Sequence, residues 1–147
     1  MKEDLWGFKD SNELEISTQE MPDAILKEQI ALLGEKTKYV LYGKTRTIKV
    51  RSEDIEFKLA TIFDLVVPAL DNYSKTILIM YSNPEAEFPV AISVGNSYEE
   101  DRESFTPQYT CENKDEFVAS VKDILSSEEV LYTIRILFSK AFMLSDE

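Results

Sequence analysis

The sequence predicts an α+β fold: an N-terminal helix, an antiparallel meander sheet of four to five strands, and two C-terminal helices packed on one face. Three observations lead there. Apolar residues alternate with period two through much of residues 39–94, the pattern of strands. They recur at helical spacing before that stretch and again after residue 113. The strands are joined by hairpin-length connections, too short for the crossovers a parallel sheet needs.

Residues 1–20 hold six acids against two lysines and show little periodicity. They read as an acidic N-terminal tail, flexible or loosely docked, ahead of a single α+β domain over residues 21–147. Trp6, the sole tryptophan, stands in this tail beside Leu5 and Phe8. Such aromatics either pack on their own domain or enter a groove on the same chain or another.

Pro22 suits a first helical turn, where its missing N–H costs nothing. Leu26, Ile30 and Leu33 follow at helical spacing, flanked by Ile25 and Leu32, and Gly34 is the residue type of a C′ position. The first helix is therefore expected over residues 22–33.

Strands follow. Residues 39–50 are rich in β-branched and aromatic side chains, and Ser52-Glu53-Asp54 reads as a turn. Residues 55–65 alternate as a strand with one buried face, until Pro68 and Asp71-Asn72 interrupt. The apolar run of residues 75–81 predicts a central strand covered on both sides. Phe88, Val90, Ile92 and Val94 share one face of the next strand, and a short fifth strand is expected within residues 105–111.

Asn113 with Glu116 has the form of a capping box, with Asn in place of Ser or Thr. Phe117, Val121, Ile124 and Leu125 form that helix's apolar face. Ser126 with Glu129 repeats the pattern, and the last helix carries a stripe from Val130 to Phe142 that is broader than one seam needs.

Composition limits the chemistry. The 147 residues include no histidine, one cysteine and four glycines. A single chain thus has no Ser-His-Asp triad, no Cys-His dyad and no His-ligated zinc, and it carries neither a dinucleotide nor a P-loop glycine motif. The net charge of −12 disfavours nucleic acid and anionic membrane surfaces and suits a cation or a basic protein partner. The lone Cys111 permits no intramolecular disulfide, in keeping with a cytoplasmic setting, and residues 1–10 lack the apolar core of a signal peptide.

Four surfaces invite weighing. Lys38, Lys44, Arg46, Lys49 and Arg51 fall in a stretch without an acid. Alternation puts Lys44 and Arg46 on one face and Lys49 and Arg51 on the other. They form either an anion or nucleic-acid contact or an edge strand guarded by positive charge. Glu99, Glu100, Asp101 and Glu103 make an acidic loop over residues 96–104, but it lacks the ligand spacing and glycine of a calcium loop, so no metal is assigned. Cys111 reads as a small buried hydrophobe rather than a nucleophile. On the last helix, Leu131, Phe138 and Phe142 either form an oligomer interface or pack across the sheet.

The reading that follows is a non-enzymatic acidic protein-binding module, inhibitor-, immunity- or chaperone-like, without a cofactor. Its candidate contact residues are Lys44, Arg46, Lys49, Arg51, Trp6, Phe138 and Phe142. A homodimer through the C-terminal helices is expected. The alternative is a small-ligand-binding or enzymatic domain using carboxylates and tyrosines in a cleft between sheet and helices. A third reading places an anion or nucleic acid on the basic strand, residues 38–51.

Overall fold

A computed structural model describes residues 3–16, 21–51, 56–95 and 107–145. Two helices, α1 (Ser11–Ile16) and α2 (Pro22–Lys36), precede five strands: β1 (Tyr42–Lys49), β2 (Leu59–Val67), β3 (Tyr73–Asn83), β4 (Ala86–Val94) and β5 (Tyr109–Cys111). Helices α3 (Lys114–Leu125) and α4 (Glu128–Ser145) end the chain. The strands form one antiparallel sheet in the order β1-β2-β3-β4-β5, an open α+β meander.

The main core lies between the sheet and the helices. Leu26 of α2, Phe117 and Val121 of α3, and Leu137 and Ala141 of α4 meet Phe63, Met80, Val90 and Ile92 of the strands. Phe88 and Phe117 add an edge-to-face ring contact, with centroids 6.5 Å apart. The central run of β3, Ile77 to Tyr81, is buried throughout, as its composition predicts. Opposite Phe63 and Asp64 the register slips by one, so that Ile77 joins Leu78 on the helix side.

Burial of β2 differs from its alternating pattern. Ala60 and Ile62, on the face away from the helices, are also buried, in a second cluster with Val50, Phe57, Ile79, Tyr81 and Ala91. The side chains at the two ends of the β1–β2 connection supply the cover: Val50 bonds through its N–H to the Lys58 carbonyl at 2.8 Å, bringing Val50 and Phe57 over this face. The strand also begins at Leu59 rather than residue 55, because residues 56–58 lead into the ladder without joining it.

Helix boundaries shift for identifiable reasons. Gly34 lies inside α2, which runs to Lys36. The left-handed backbone that ends the helix falls on Lys38 (φ 53°) and Tyr39 (φ 64°) instead. Gly34 serves a close approach: a Cβ there would lie 3.2 Å from the Tyr39 ring, whose backbone N–H bonds to the Gly34 carbonyl at 2.7 Å. Asn113 caps α3 as expected, its side chain accepting the Glu116 N–H at 2.9 Å, while the Glu116 carboxylate accepts the Glu112 N–H at 2.8 Å. For α4 the cap is Ser127, which accepts the Val130 N–H, because Ser126 closes α3 on the Lys122 carbonyl.

Within the N-terminal segment, α1 is a short helix that the acidic composition does not announce. Asp10 accepts the Asn12 N–H at 3.0 Å at its start. Leu5 and Trp6 remain 84% and 77% exposed. The acidic loop of residues 96–104 lies outside the described residues.

Candidate functional site

The three main helices do not close over the sheet completely. Between α2, α3 and α4 runs a cleft of about 560 Å³. Its floor is Phe63, Leu65 and Ile77 of the sheet. One wall is the Ile25, Leu32 and Leu33 side of α2. The opposite wall is Val118, Val121 and Leu125 of α3, with Val130, Leu131 and Ile134 of α4 closing the end. Leu32, Val118 and Leu131 are 39%, 42% and 41% exposed, so the lips of the cleft are themselves apolar.

Polar groups reach the rim where α2 and α3 end. The Thr37 hydroxyl lies 3.0 Å from the Leu33 carbonyl and accepts the Leu41 N–H at 3.2 Å. The Ser126 hydroxyl donates to the Lys122 carbonyl. Both hydroxyls are thus engaged by the backbone, and among the described residues the charged groups lining the cleft are Lys36 and Lys122. Each occupies the last turn of its helix, where a cation also complements the helix dipole. Among the described residues, no carboxylate, tyrosine or cysteine lines the cleft.

Of the residues singled out from sequence, Leu131 lines the cleft, while the basic residues of β1, Trp6 and the Phe138–Phe142 pair stand at separate places outside it. β1 is an edge strand, and Lys44 and Arg46 share the sheet face away from the helices, with Lys49 on the other. Arg51 lies beyond the strand. All four are exposed. Lys44 sits directly across from Asp64, which accepts the Thr76 hydroxyl at 2.6 Å. Exposed cations along an edge strand also guard it against pairing with a further strand. Trp6 packs only loosely against Phe8, with ring centroids 6.1 Å apart. On α4, Phe138 is half-buried against the core and stacks on Phe142, which is 57% exposed.

Two groups have displaced pKa values. Burial raises the Cys111 thiol, reinforced by the charges of Glu116 and Glu112, while its contact with Ser120 opposes the shift. A fully buried thiol held protonated is a poor nucleophile. Tyr109 is raised chiefly by its hydrogen bond to Asp123. Among the described residues, no group of three or more His, Cys, Asp or Glu side chains could hold a metal ion, and no helix is long and apolar enough to cross a membrane.

The cleft has a faint sequence signature. Ile25 and Leu32 flank the main apolar stripe of α2 without belonging to it, and Val118 and Leu131 do the same on α3 and α4. Excess width on three helices marks a wall that the core uses only in part: Ile25 packs against it, while Leu32, Val118 and Leu131 stay exposed. No family model, curated protein or solved structure matches the chain.

Proposed function

We propose that this chain is a non-enzymatic binding module that engages a protein partner through the cleft between α2, α3 and α4. The observation that carries it is an apolar cleft with apolar lips: Leu32, Val118 and Leu131 are exposed around a cavity floored by core residues. Exposed contiguous apolar surface on a highly charged protein marks a contact site. The partner supplies a short row of apolar side chains, in the manner of a helix entering a groove. It also brings a carboxylate to Lys36 and Lys122 at the rim. The net charge of −12 acts at longer range and speeds the approach of a partner that is basic elsewhere. Self-association through the C-terminal helices belongs to the same reading.

The test is affinity capture from the native cell with the intact chain and with Leu32→Glu and Val118→Glu as baits. A stoichiometric protein retained by the native chain and lost by both variants supports the proposal. Equal retention by all three baits moves the interface elsewhere.

The size of the cleft favours a second reading. About 560 Å³ falls within the range of small-ligand sites, and an apolar lining with two lysines at the rim suits a long-chain carboxylate. A fluorescent fatty acid displaced by excess oleate, with binding weakened by Lys36→Glu, would favour that reading over a protein partner.

A further inference from the structure

We infer that α4 pairs antiparallel with α4 of a second copy of this chain, through a face separate from the cleft. Val130, Leu137 and Ala141 turn one side of α4 into the core. The other side of a surface helix ordinarily carries charge. Here it carries Tyr132, Ile136 and Met143, which are 65%, 40% and 66% exposed.

With Ser139, these positions recur at spacings of four, three and four residues. That is the seam of a two-helix contact. Ser139 is small, so a bulkier side chain from the facing helix fits against it.

The flanking charges select the orientation. Arg135 lies on one side of the seam and Lys140 on the other. In a parallel pair each Arg135 faces Lys140 of the second copy, a repulsive contact at the flanking positions. In an antiparallel pair with Tyr132 opposite Met143, Ile136 falls opposite Ser139. Arg135 then reaches the ring of Phe142 and Lys140 lies beside Thr133, so the repulsion is gone and a cation–π contact replaces it. Opposed helix dipoles favour the same orientation. Glu128 and Glu129 balance Arg135 and Lys140 within α4, so this face of an acidic chain meets a second copy without local net charge.

Sedimentation of the full chain over a range of concentrations should show a dimer that tightens with salt, as screening removes the repulsion between two acidic chains. Ile136→Glu and Ser139→Arg should each give monomers with native helical circular dichroism. Mixing Ile136→Cys and Ser139→Cys proteins under mild oxidation should give the crosslinked heterodimer several-fold over either crosslinked homodimer. A monomer at every concentration and salt level overturns the inference, as does dimerisation untouched by both disrupting variants, or a predominance of crosslinked homodimers. Val118→Glu should dimerise normally, so the cleft proposal and the α4 pairing can fail independently.

Discussion

Tyr109 donates its hydroxyl to the Asp123 carboxylate at 2.5 Å, tying the short strand β5 to helix α3. β5 has three residues, pairs with β4 and buries Cys111 completely, and this bond adds a tie at its solvent-exposed start. Because the bond is exposed to solvent, Tyr109→Phe and Asp123→Asn should each cost less than about 1 kcal/mol, with most of that shared in a double-mutant cycle. The bond raises the Tyr109 pKa. The folded state therefore holds this proton more tightly than the unfolded chain. The contribution is fully present below the ordinary tyrosine pKa of about 10 and is lost as pH rises through the higher folded value. Denaturant midpoints of the native chain and Tyr109→Phe should converge at alkaline pH. A constant gap would show that the phenol's proton has no part in it.

Cys111 should be inert in the native protein. It is fully buried and its thiol is held protonated. Labelling by an aromatic disulfide reagent should be slow without denaturant and rise with the unfolded fraction. Rapid stoichiometric labelling of the native chain would contradict this account of the site.

Gly43 lets α2 lie close on the edge strand. A Cβ there would stand 2.8 Å from Ile30 Cγ1 and 3.4 Å from Ile30 Cα. Gly43→Ala should destabilise by about 1–3 kcal/mol through overpacking. Ile30→Ala added to it should recover part of that loss. Additive losses in denaturation would refute the proposed clash.

Trp6 should report a solvated environment. Its 77% exposure predicts red-shifted emission that acrylamide quenches efficiently. Deleting residues 1–18 should cost less than about 2 kcal/mol, below the range of core disruptions. Blue-shifted emission together with a larger loss would place this segment in the core.

The fold is legible in the sequence where one physical signal dominates. The apolar run of β3, the Asn113 cap and the alternation of β4 each specify an element that folding preserves. The misplaced boundaries share a cause: local residue type is overruled by tertiary contact. Gly34 reads as a helix stop, yet it is the ring of Tyr39 that requires a glycine there. Ser126 reads as a cap, yet it is drawn back to the Lys122 carbonyl. The cleft is hardest to read, because its walls come from three helices separated by the whole sheet. Only their relative placement turns the surplus of Ile25, Leu32, Val118 and Leu131 into a cavity. The basic residues of β1 draw the eye in the sequence, and in the sheet they are divided between its two faces, away from the cleft.

The most direct measurement is photo-crosslinking in the native cell, with a benzophenone amino acid placed at Val118 on the cleft lip or at Lys44 on the opposite face of the sheet. The account predicts one dominant protein adduct from position 118, absent from position 44 and suppressed by Leu32→Glu. The same adducts from both positions, or an adduct from position 44 alone, would contradict the claim that the cleft is where this protein meets its partner.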